Sequence, residues 1–142
     1  MSMLRSHQVA QAAFECVEAR RTDKTFEKTQ KAYGALAHKL PVLILQHGLA
    51  QATGFLLAKG KAEHLALLND VAQILSKAAK SGFTDGSHMH KAIIQADTAT
   101  TMLLTRRALE ACGWLKRYVQ GVLKVDATGA ANDGAAKEQE HD

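Results

Sequence analysis

The chain has little of what usually announces chemistry. Among its 142 residues are two cysteines and one proline. Cys16 and Cys112 are far apart and neither belongs to a C-x-x-C pair, so neither a disulfide framework nor a zinc site is indicated, and both read as small buried hydrophobes on apolar helix faces. Aromatics make up 5% of the chain, too few for a base-stacking platform. No G-x-S-x-G, no phosphate-cradling glycine loop and no paired carboxylates at a useful spacing occur, which leaves no motif for catalysis. The stretch from Met1 to Arg21 lacks the apolar core of a signal peptide. No segment offers the roughly twenty predominantly apolar residues of a membrane span. These absences predict a cytoplasmic, non-enzymatic protein with no cofactor, no bound metal and no membrane contact.

Seven histidines invite a metal reading, and each grouping fails on spacing. His88-x-His90 would aim its rings to different sides of a helix, where two ligands need a separation of three or four. Glu138-x-x-His141 has the spacing of carboxylate-bridged bundles, which need the motif on facing helices, and here it stands alone in the tail. His47 reads as a hydrogen-bonded histidine at the edge of an apolar helix.

What is present is a helical chain. The hydrophobic share of 46% is mostly Ala, Leu and Val, and the length suits one core. The expected fold is all-α, a compact bundle of about five to six helices with a long C-terminal one, over residues 1–125. Residues 126–142, without periodicity, read as an acidic disordered tail.

The most apolar stretch, Leu40 to Phe55, reads as the central helix. Pro41 stands at its first position, and Val42, Leu45, Leu49, Ala52 and Leu56 form the buried stripe. Gly48 and Gly54 would mark a close approach by a neighbouring helix.

Around it the periodicity predicts a helix from Leu4 to Arg21, burying Val9, Ala12, Ala13, Cys16 and Val17, and another from Thr25 to His38. A fourth starts near Ala62 with Leu65, Leu68, Val71, Ala72 and Leu75 inward. Asp85 or Ser87 caps a short helix from about His88 to Ala96, and Asp97 caps the last, Thr98 to Lys124. In that last helix Leu104, Ala108, Ala111, Cys112, Leu115, Val119 and Val122 face the core.

The formal charge of +4 conceals an asymmetry. Residues 1–125 hold 17 Lys+Arg against 9 Asp+Glu, a balance of +8, and residues 126–142 hold 1 against 5, a balance of −4. A basic domain points to a polyanionic partner, most often nucleic acid, held mainly through phosphate. The candidate nucleic-acid-binding residues are Lys116, Arg117, Arg20, Arg21, Lys59 and Lys61. The competing explanation of the cluster at Arg20 and Arg21 is structural, since cations are favoured in a helix's last turn.

Two blocks carry a resemblance. Leu40-Pro41, Ile44, Gly48-Leu49 and Phe55-Leu56, preceded by Tyr33, look like the central signature of the small, all-helical subunit of the Cmr-type (type III-B) CRISPR effector complex. Leu109 followed by Trp114-Leu115-Lys116-Arg117-Tyr118 resembles that family's second signature. Two departures stand nearby: Arg107 lies where an acidic residue is usual, and a tyrosine about one turn earlier is absent.

The resemblance implies several copies stacked in a short filament beside other subunits of the complex, with guide RNA and target single-stranded RNA as partners and cleavage left to other subunits. Only Lys116 and Arg117 among the basic candidates fall inside a family motif. The alternative is a free-standing helical nucleic-acid-binding or regulatory module, for which the Gly82–Ser87 turn and the short helix after it are the one helix-turn-helix candidate.

Overall fold

The computed structural model describes residues 4–79 and 82–128. From residue 129 on, the expected acidic tail lies outside the described residues. Among the described residues six α-helices follow in order: α1 (Arg5–Thr22), α2 (Gln30–His47), α3 (Leu49–Lys59), α4 (Ala62–Ala79), α5 (Gly86–Gln95) and α6 (Thr98–Tyr118). A 3₁₀ segment (Lys24–Thr29) leads into α2, and a π-helical turn (Val119–Leu123) prolongs α6. The all-α bundle with a long last helix is therefore what the chain forms, and among the described residues no helix is long and apolar enough to cross a membrane.

The helix at the centre is α4, which packs against each of the other five. Leu67, Ile74, Leu68, Val71, Ala72 and Leu75 are buried on it, a wider face than one stripe because neighbours approach from several sides. Leu65, expected inside, is 38% exposed. The short α5 is seated by backbone contact: a Cβ at Gly86 would stand 2.5 Å from Leu68 Cγ. Asp85 caps it, its side chain accepting from the His88 N–H, and Asp97 caps α6 by accepting from Thr100.

The stretch from Leu40 to Phe55 departs from its reading. Pro41 does not open a helix but lies inside α2, and the break comes at Gly48, with φ 88° and ψ 160°. The buried residues of α2 explain the continuation: Tyr33, Leu36, Ala37, Leu40 and Ile44 form one uninterrupted stripe through the proline. After the break α3 buries Leu49, Ala52 and Leu56 as expected. Val42 and Leu45, expected beside them, are 51% and 71% exposed, because they belong to the other helix and to its outer face.

The expected close approaches at Gly48 and Gly54 are also not the ones found. A Cβ at Gly48 would meet nothing within 4 Å, and one at Gly54 would make ordinary contact with His90 at 3.5 Å. The tight place on α2 is Gly34, where a Cβ would lie 2.5 Å from Val125 Cγ1. Val125, held by the left-handed turn at Lys124, thus docks the end of the described chain onto α2.

Candidate nucleic-acid interface

The six basic candidates fall into three places. Arg20 and Arg21 close α1, Lys59 and Lys61 flank the α3–α4 junction, and Lys116 and Arg117 occupy the last turn of α6.

Arg20 is turned inward. Its Nε and Nη2 donate to the two carboxylate oxygens of Asp70 on α4 at 3.0 and 2.9 Å, a bidentate pair, and Nη2 also reaches the Ala66 carbonyl. The Tyr33 hydroxyl donates to the same carboxylate at 2.5 Å. The guanidinium lies 4.9 Å from the Phe26 ring centroid and 5.8 Å from that of Tyr33. Burial raises the Asp70 carboxyl above its ordinary value, against the pull of Arg20 and Tyr33. The Tyr33 hydroxyl is raised too, by burial first and then by Asp70. The nearby Cys16 thiol is pushed up to about 12, mainly by burial, and buried Cys112 likewise to about 12. Both cysteines are buried, as expected.

Arg21 stays outside and forms two hydrogen bonds to Glu18, at 2.7 and 3.0 Å, one turn earlier on α1. At the end of α6, Arg117 is exposed with its guanidinium 5.1 Å from the Trp114 ring centroid, while Lys116 is half-buried. Trp114 stacks on Tyr118 at 5.8 Å, and Phe14 of α1 meets Tyr118 edge-on at 5.3 Å. The tryptophan therefore packs at the core boundary. Glu110 turns to Arg5, 3.7 Å away, and Arg106 is exposed one turn before it on α6.

Lys59 and Lys61 line a groove of about 490 Å³, joined there by Lys39 of α2. Its apolar lining includes Leu36, Leu43 and Phe55, and Glu63 and His64 close the α4 side. The Lys59 ammonium sits 5.7 Å from the Phe55 ring centroid, and His64 meets that ring edge-on at 5.7 Å. His64 is 8% exposed. Its Nδ1 lies 3.3 Å from Glu63 Oε2 yet has no hydrogen-bond partner among the described residues. Burial pushes the imidazole down, Glu63 opposes, and Lys59 and Lys61 add to the fall. Sequence reasoning found the two lysines but not the groove. The signal was the i, i+4 pair of Phe55 and Lys59 followed five residues later by a histidine in an apolar run, which only the turn at Gly60 brings together.

No group of three or more His, Cys, Asp or Glu side chains able to hold a metal ion occurs among the described residues.

Comparison with known proteins bears on what these surfaces serve. A family model described as CRISPR-associated protein (Cas_Cmr5) matches residues 5–122. The chain is similar to the CRISPR system Cmr subunit Cmr5 of Thermus thermophilus, 38% identical over 109 residues, covering 71% of this chain and 90% of that protein. A crystal structure of a CRISPR-associated Cmr5 family protein, also from Thermus thermophilus, superposes with a TM-score of 0.73 at 35% identity, covering 86% of this chain and 99% of the other.

Proposed function

Because this chain belongs to the Cmr5 family of CRISPR-associated proteins, we propose that it serves as a small, non-catalytic subunit of a type III-B Cmr ribonucleoprotein, stacking in several copies and holding target single-stranded RNA or its guide duplex on a basic surface. The observation that carries this reading is the family match over residues 5–122, from the first residue of α1 into the π-helical turn. In such an assembly guide pairing reads sequence, and protein cations need only track the backbone.

The charge balance of +8 over residues 1–125 supports it. Lys59, Lys61 and Arg117 are exposed, and half-buried Lys116 precedes Arg117 on α6. Arg21 shares its charge with Glu18, and Arg20, committed to Asp70, is the poorest of the six candidates. The exposed Val42 and Leu45 offer an apolar contact for a neighbouring subunit.

The test is a salt titration of single-stranded RNA binding, by the isolated chain and by the reconstituted complex. Removing one phosphate-binding cation should flatten the log–log slope by about 0.7. Lys116→Ala with Arg117→Ala is expected to flatten it and to weaken target-RNA cleavage by the complex, with the thermal midpoint nearly unchanged. An unaltered slope and unaltered cleavage in a folded double variant would remove the α6 end from the interface.

A further inference from the structure

The groove between α2 and the α3–α4 junction has a composition that neither a protein core nor a solvated surface requires. Its rim carries Lys39, Lys59 and Lys61 with one carboxylate, Glu63, in opposition. Its floor is apolar, with Phe55 37% exposed. A bare anion would need the cations and not the floor. An apolar helix of a partner would need the floor and be hindered by three ammonium groups. A nucleotide unit needs both, with a flat π-face on one side and a phosphate on the other. The volume of about 490 Å³ lies within the range of small-ligand sites.

His64 lines the same groove, with its Nδ1 3.3 Å from Glu63 Oε2, so the carboxylate that opposes the lysines has a neighbour of its own. Lys59 is the movable part. Its ammonium now covers the Phe55 ring, and its flexible stem lets it leave that face for a phosphate when a base takes its place.

We propose that this groove is a nucleotide subsite for single-stranded RNA, one base lying on Phe55, Leu36 and Leu43 and the adjoining phosphate held by Lys39, Lys59 and Lys61. The proposal rests on the RNA-holding reading above and adds to it a place where a base, and not only the backbone, is gripped. Glu63, an acceptor beside the phosphate-binding lysines, is suited to a ribose 2′-hydroxyl and gives RNA an advantage over DNA.

The experiment uses the full chain with a fluorescent oligouridylate carrying 4-thiouridine, cross-linked by light and mapped by mass spectrometry, beside anisotropy titrations. Cross-links are expected on the segment from Phe55 to His64. Phe55→Leu should weaken binding about five-fold or more without changing the salt slope, as loss of a stacked base does. Lys39→Ala with Lys61→Ala, both exposed and safe for the fold, should flatten the slope by about 1.4, twice the value for one cation. If the oligonucleotide binds but cross-links only beside Trp114, and the groove variants bind like the parent, the subsite is refuted while RNA binding stands. If neither the chain nor the reconstituted complex containing it binds RNA through any basic residue, the subsite and the broader reading fall together.

Discussion

Asp70 is buried to 4% exposure between two helices, and its carboxylate is the point where α1, α2 and α4 are tied. A carboxylate in that position is tolerable only because Arg20 and Tyr33 both donate to it. Removing Arg20 leaves the Asp70 carboxylate buried without its cation. Arg20→Ala is accordingly expected to destabilise the domain by about 3–5 kcal/mol, read from urea unfolding, whereas Arg21→Ala, on the exposed side, should leave the midpoint where it was. Arg20→Lys should recover little, since an ammonium cannot span both carboxylate oxygens. A stable Arg20→Ala protein with a flattened RNA salt slope would return Arg20 to the nucleic-acid surface. The sequence did not reveal this role because Arg20 sits in a run of cations at a helix end, where the dipole already explains it, and its partner is fifty residues away. The one legible hint was an aspartate inside the apolar run from Leu65 to Leu75.

Among the elements, α1, α4, α5 and α6 were legible because each has a capping or stop signal beside a single apolar period: Asp85 and Asp97 before two of them, Gly60 before α4. The α2–α3 pair was not, because two rules gave opposite answers at Pro41 and Gly48. Proline in a helix interior costs about 3 kcal/mol, which favours a boundary there. The stripe from Tyr33 to Ile44 buries enough side chain across the proline to outweigh that cost, with Leu40 and Ile44 at 2% and 3% exposure. Gly48 then takes a backbone conformation open almost only to glycine, and the direction of the chain changes. This makes a paired expectation. Gly48→Ala should cost about 1–3 kcal/mol through backbone strain alone, since its Cβ would meet nothing. Gly54→Ala, in the helical interior with room beside His90, should be neutral or stabilise by up to about 1 kcal/mol. Stabilisation by both substitutions, in thermal or urea melts, would mean that one helix runs through Gly48 after all.

At the scale of the whole molecule, the misplacement of Val42 and Leu45 carries information about assembly. Their sequence pattern is that of a helix covered on all sides, yet the folded chain covers only one side of α2 and leaves Leu45 71% exposed. Single exposed apolar residues are ordinary, but Val42 and Leu45 lie almost one turn apart on the same helix, beside half-buried Leu43, which lines the basic groove with exposed Phe55. On the subunit reading proposed above, a neighbour would supply the missing cover, and the pattern would then describe the assembly rather than the isolated chain. Val42→Glu with Leu45→Glu is therefore expected to leave the thermal midpoint of the isolated protein within a degree or two, because neither side chain supports the core. The same pair should sharply reduce incorporation into reconstituted complex, measured as subunit stoichiometry after size-exclusion chromatography. Light scattering on the isolated chain tells which neighbour the face serves: a mass that falls to the monomer only in the variant identifies a second copy, and an unchanged mass identifies a different subunit. Full incorporation of the double variant would show that the apolar face of α2 is not where the chain meets its complex.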